Sequence, residues 1–153
     1  MKVSSPMMMM SDIQRRNLRK VVSIEASYTH TLNGAVHTID EQSSGSLFQV
    51  DDDTFLLAFD TYINERKLTT TIKFSNGLMT RVQIGDIHTR QNFAEHEWYA
   101  VQYFHEGSLL LLRSYTNRLD YALTPEGGLI DLFYELWSGD TFMGHYNMEL
   151  FVS

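Results

Sequence analysis

From Val22 onward, apolar and polar residues alternate with a period of two, which an amphipathic helix does not produce. Val22, Ile24, Ala26 and Tyr28 alternate with Ser23, Glu25, Ser27 and Thr29. Asn33-Gly34 supplies a turn, since both residues tolerate positive φ. A long strand over Ala35–Val50 follows, kinked near Ser43-Ser44-Gly45, and the acidic run Asp51-Asp52-Asp53 forms a loop before Thr54–Ile63. The clearest hairpin comes next. Leu68, Thr70, Ile72 and Phe74 share one face, Ser75-Asn76-Gly77-Leu78 closes the turn, and Leu78, Thr80, Val82 and Ile84 are expected to continue the inward face. Gly85-Asp86 leads into Ile87–Phe93. After Ala94-Glu95-His96-Glu97 come the strands Trp98–Phe104 and, past the turn at Glu106-Gly107, Ser108–Thr116, with Asn117 leading into Leu119–Leu123. Beyond the loop Thr124–Gly128, Leu129–Trp137 and Thr141–Val152 form a last pair.

The pattern predicts eight to ten strands at intervals of roughly 10–15 residues with Gly-bearing turns, an antiparallel meander closed into a barrel or packed as a sandwich. Residues 1–17 lack this period and read as a mobile basic tail, or a short helix over Asp12–Arg19, leaving residues 18–153 as one barrel domain. The 153 residues suit a single core. The absence of cysteine excludes disulfides, thiolate metal sites and thiol nucleophiles.

Charge is unevenly distributed. Residues 1–20 hold five of the twelve basic side chains (Lys2, Arg15, Arg16, Arg19, Lys20) against one acid, Asp12, while the remainder carries the other eighteen acids. So acidic a body repels phosphate backbones and argues against nucleic-acid binding. Met7–Met10 is far shorter than the ~7–15 residues of a secretory signal, and no run approaches the ~18–20 apolar residues of a membrane helix. A soluble cytoplasmic protein, without membrane contact, is the expectation.

The segment Thr71–Val152 resembles the YwiB-like proteins. The ordered markers are Gln83-Ile84-Gly85 after the hairpin, Phe93, Tyr103 with Gly107, Thr116 with Leu119, Gly128 ahead of a strand bearing Tyr134, and Met148 in the last strand. Gln83 stands where that family prefers arginine, and Phe104-His105-Glu106 replaces its usual Thr-Pro-aromatic. The resemblance implies a bacterial, cytoplasmic protein with a calycin-like, lipocalin-related β-barrel. It implies no reaction.

No catalytic or metal chemistry assembles from the motifs. The histidines His30, His37, His88, His96, His105 and His145 match no ligand spacing, so neither metal nor cofactor is expected. Asp131 and Glu135 share a strand face, but four residues separate them by about 13 Å at ~3.3 Å per residue. Glycosidase pairs need roughly 5–9.5 Å. Their other phase, Ile130, Leu132, Tyr134 and Leu136, is the better core face. No Gly-x-Ser-x-Gly elbow or phosphate-cradling loop is present.

Two features ask for more. On Ser108–Thr116 the odd phase reads Leu109, Leu111, Arg113, Tyr115. An arginine continuing an inward row needs an acid or a bound anion. Either the strand bends before Arg113, or Arg113 with Tyr115 and Tyr134 forms the polar end of a ligand cavity. With Leu109 and Leu111 inward, Leu110 and Leu112 point outward, and Phe133 with Trp137 adds a comparable excess nearby. Such a wall suits a homodimer, with cover by the N-terminal segment as the competing account. The functional expectation is a non-enzymatic module binding a small, partly apolar molecule among the aromatics Phe55, Phe59, Phe74, Tyr121, Tyr134 and Tyr146. The alternative is a protein–protein interaction module, a homodimer or a complex with a cytoplasmic partner, using the outer wall and holding no ligand.

Overall fold

The computed structural model describes residues 19–153. The tail and helix expected over residues 1–19 lie almost wholly outside them. Ten strands follow in chain order: β1 (Lys20–Leu32), β2 (Ala35–Asp51), β3 (Thr54–Ile63), β4 (Arg66–Ser75), β5 (Leu78–Ile84), β6 (Ile87–Phe93), β7 (Trp98–His105), β8 (Ser108–Thr124), β9 (Gly127–Ser138) and β10 (Thr141–Val152). Each pairs antiparallel with its chain neighbours, and β1 pairs with β10 to close a barrel. The seam is held from Ile24 opposite Val152 to Thr31 opposite His145, and Ser23 and Ser153 exchange backbone hydrogen bonds of 2.8 and 3.0 Å. Closure satisfies strand edges that would otherwise be free to template association. Among the described residues, no helix is long and apolar enough to cross a membrane.

Turn length decides which side chains enter the barrel. Residues directly opposite in an antiparallel pair point to the same face. Asn76-Gly77 is a two-residue turn with φ of 51° and 79°, the left-handed pair that suits the twist of a hairpin. It sets Phe74 opposite Met79 and Ile72 opposite Arg81, so burial passes from even positions on β4 to odd positions on β5. The expected inward row of Leu78, Thr80, Val82 and Ile84 is therefore corrected: Met79 and Arg81 are buried, whereas Leu78 and Ile84 are exposed.

The same rule reverses the reading of β8. The turn at Glu106-Gly107 sets Val101 opposite Leu112 and Tyr103 opposite Leu110, so the inward row begins Leu110, Leu112, Ser114, Thr116. Nor does the strand end at Asn117. A bulge there shifts the register and transfers burial to Leu119, with Tyr121 and Leu123 packed on the core. The 94–97 loop supports the bulge: His96 N–H donates to the Thr116 carbonyl (2.8 Å), and Glu95 Oε2 accepts from Leu119 N–H (3.3 Å). This accounts for the acidic cluster around His96 without any ligand.

The interior is divided by height. The half nearest the β4–β5 turn and the chain's C-terminus is apolar, with Ile24, Leu57, Ile72, Phe74, Met79 and Leu132 fully buried. The Tyr121 hydroxyl accepts the Gly77 N–H at 2.9 Å and ties that end together. In the other half the wall is incomplete. The β2–β3 ladder stops at Gly45 opposite Phe59, so that, among the described residues, 35–44 pair with β1 alone. Ile39 and His37 are opposite Tyr28 and His30 on the inner face of this arm, yet both are exposed.

Candidate functional site

One level above the apolar core, β5 brings an arginine into the barrel. Arg81 follows Met79 on the inward row and is only 7 % exposed. Its Nη2 donates to Gln91 Oε1 on β6 and to the Tyr134 hydroxyl on β9 at 3.3 Å. Nη1 reaches the Met148 sulfur at 3.5 Å, and the guanidinium carbon lies 5.5 Å from the centre of the Phe93 ring. Nε is buried without a hydrogen-bond partner. All these contacts are neutral, and no ion pair reaches Arg81 among the described residues. A guanidinium cannot lose its proton to escape burial, so this is a standing positive charge in a low-dielectric interior.

Aromatic rings continue from it across the barrel. Phe93 and Tyr134 meet with centroids 4.8 Å apart; Tyr134 stacks on Tyr146 at 5.2 Å, and Tyr146 on His30 at 4.4 Å. His30 Nε2 is 2.9 Å from the Met143 carbonyl oxygen. The β10 bulge makes room for it, because a Cβ at Gly144 would lie 2.4 Å from His30 Nε2. Two cavities share Arg81, Tyr134 and Tyr146. One of about 370 Å³ extends past Tyr28, His30 and Ile39; the other, about 380 Å³, extends past Gln83, Tyr103 and Leu112. Both lie within the range of small-molecule pockets. A larger depression of about 610 Å³ lies over Glu25, Asp40, Asp131 and Glu149, side chains of the outer wall.

Burial pushes the Tyr28 hydroxyl from 10.0 up to about 12, with the Arg81 charge pulling it back. Burial also raises Tyr146, helped by Tyr134 and Tyr103. The folded state thus favours neutral Tyr28. Its contribution is complete below the ordinary tyrosine value near 10 and is lost as pH rises towards 12. Alkaline absorbance titration is expected to show Tyr28 as the last phenol to ionise, after Tyr146, and Tyr28→Phe to remove that last step. A step near pH 12 that survives Tyr28→Phe contradicts the assignment.

Of the residues singled out from sequence, Tyr134 lies inside, whereas Arg113 and Tyr115 are on the outer wall. Arg113 lies 4.7 Å over the Trp98 ring and donates to the Gly139 carbonyl at 3.0 Å, while Tyr115 packs against the same tryptophan. The two-residue turn before β8 is the reason, and neither side chain can form the polar end of the cavity. Leu112 faces inward, and Leu110 lines the second cavity at the barrel mouth. Phe133 and Trp137 are on the outer face, Phe133 stacked on His145 and Trp137 packed on Phe142. On β8 the exposed leucines of the outer wall are therefore Leu109 and Leu111, with Phe104 opposite Leu109. Asp131 and Glu135 also face outward, bound to Arg118 and to Asn117 and Trp137. Among the described residues, no group of three or more His, Asp or Glu side chains is placed to hold a metal ion.

Arg81 and Gln91 are the residues sequence reasoning missed. The signal was present: with Ile72 and Phe74 inward, a two-residue Asn-Gly turn places Arg81 on the same face.

None of the curated proteins matches this chain. Among solved structures, the crystal structure of the ywiB protein from Bacillus subtilis is similar, with a TM-score of 0.80 at 18 % identity. The likeness covers 92 % of this chain and 96 % of that one, and at this identity it bears on the fold alone. It agrees with the resemblance carried by the C-terminal markers. Residues 22–150 match the family described as "Domain of unknown function (DUF1934)", almost the whole of the barrel, and the chain belongs to that family.

Proposed function

We propose that this protein is a non-catalytic binding module that takes a small, partly apolar molecule into the less packed half of its barrel. The observation that carries the reading is the pair of cavities meeting at Arg81, Tyr134 and Tyr146, beneath a wall that β3 leaves unfinished. A few convergent polar groups among aromatic walls are what small-molecule sites generally present. The opposite half is filled by the buried Ile24, Leu57, Ile72 and Phe74. Native mass spectrometry of freshly purified full-length protein is expected to reveal a retained small molecule, released on denaturation. Ligand-free protein whose melting temperature also fails to rise with any of a panel of small acids, amides and alcohols contradicts the proposal.

A second reading is favoured by the outer wall. Phe104, Leu109 and Leu111, the last 70 % exposed, form an apolar strip that a second copy or a cytoplasmic partner could cover. Sedimentation at tens of micromolar, a range suited to modest affinities, separates the two. A clean monomer counts against a dimer, while a dimer dispersed by Leu111→Glu supports it.

A further inference from the structure

We infer that the molecule this barrel accepts is a small organic carboxylate with a flat, unsaturated body, its acid group seated on Arg81 and its body against the Tyr134–Tyr146–His30 stack. This rests on the binding-module reading and adds to it the charge and shape of the ligand.

The charge argument comes from what Arg81 lacks. Its acceptors, Gln91 Oε1, the Tyr134 hydroxyl and the Met148 sulfur, are neutral and leave the positive charge uncompensated. Glu41 is opposite Ala26 on the inner face of β2, and among the described residues no ion pair joins it to Arg81. An arginine retained in such a place is better explained by an anion it receives than by what it adds to the core, because a well-packed apolar side chain is usually at least as stabilising. The unused donor is positioned for this. Nε–H belongs to the side edge of the guanidinium fork, shared with Nη2, and a carboxylate matches that edge with two parallel hydrogen bonds. It would replace the long 3.3 Å contact from Nη2 to Tyr134 and leave that hydroxyl free to donate to the acid.

The remaining polar inventory points the same way. Ser114 and Thr116 are fully buried on the inward row of β8, with hydroxyls that lack a partner among the described residues. Thr116 is opposite Tyr134, which places unsatisfied donors near the level of the guanidinium. The body argument comes from the rings: Tyr134, Tyr146 and His30 lie within 13° of parallel from one ring to the next. Such a ladder offers flat faces and edges to a planar molecule, with Tyr28, Ile39 and Met148 completing the cavity wall.

The test uses the full-length chain, freed of any retained molecule, and calorimetric titration with phenylpropionate, cinnamate, their amides and inorganic phosphate. Both acids are expected to bind at least about tenfold tighter than the corresponding amides, the scale of a charge-assisted pair. Arg81→Gln is expected to abolish that preference, and Tyr146→Ala to weaken acid and amide alike. Arg81→Met separates this role from a structural one. It should unfold at the same or a higher temperature than the natural chain while losing acid binding. If amides bind as well as acids, if phosphate matches the organic acids, or if Arg81→Gln leaves the preference intact, the carboxylate inference falls and the binding module stands. If Arg81→Met melts far below the natural chain, Arg81 is a structural strut and the inference also falls. If neither acids nor amides bind, the binding reading fails with it.

Discussion

Gly45→Val is expected to abolish folding, and Gly45→Ala to lower unfolding free energy by about 3 kcal/mol, at the upper end of the usual cost of overpacking. A Cβ at Gly45 would lie 2.3 Å from the Ala58 carbonyl oxygen and 2.9 Å from both Ile24 Cδ1 and Phe59 Cβ. The first of these is backbone in the β2–β3 ladder and cannot swing aside as a side chain can. Gly45 is also the last β2 residue opposite β3, facing Phe59, so any retreat by β2 opens the barrel where its wall already ends. Against a typical total stability of about 5–15 kcal/mol, a loss of this size is readily measured by chemical denaturation. Gly107→Ala serves as the control. Nothing lies within 4 Å of its Cβ, so only the cost of a φ of +77° remains, about 1 kcal/mol. Equal losses at the two glycines would show that close approach at Gly45 is not the cause.

Phe74→Ala is expected to cost about 3–5 kcal/mol, the range for removing a large side chain from a core that cannot collapse around the gap. Phe74 is fully buried, and its ring centre lies 5.0 Å from that of Tyr121, whose hydroxyl holds the Gly77 N–H. Truncation therefore empties the apolar end and loosens the residue that ties the β4–β5 turn to β8. Phe74→Leu keeps most of the volume and should lose about half as much. Phe104→Ala, removing a ring already 45 % exposed on the outer wall, should cost less than about 1 kcal/mol. A denaturation series in which Phe104→Ala matches Phe74→Ala would contradict this division of the barrel into core and wall.

Alternation and turn chemistry made most of the strands legible, because they are local. The inward rows of β1, β4 and β9 followed from their apolar content: Val22 and Ile24, Ile72 and Phe74, Ile130 and Leu132 are all buried. What local pattern did not settle was phase on strands whose two faces look alike. On β5 the exposed Ile84 and the half-buried Val82 resemble a core row more than Met79 and Arg81 do, and on β8 four consecutive leucines carry no phase at all. In both places the decisive information lies across the turn, in which residue is opposite which. Asn117 reads locally as a break between two strands. A bulge carries the same residue preference as a turn, yet here the inward row passes from Thr116 to Leu119 inside one continuous strand. Of the two readings open for Arg113, the inward one is excluded by its place over Trp98 on the outer wall, and the buried arginine is Arg81 on β5.

The stretch of β2 beyond Gly45 has a kinetic implication. In a cylinder laced shut around its whole circumference, a guest could reach the middle only after some lacing came undone, and exchange would be as slow as partial unfolding. Here the lacing between β2 and β3 was never tied above Phe59. Outward bending of residues 35–44 of β2 would widen the gap beside Ile39 with no β2–β3 bond to break, so the proposed ligand would exchange faster than the apolar half of the barrel opens.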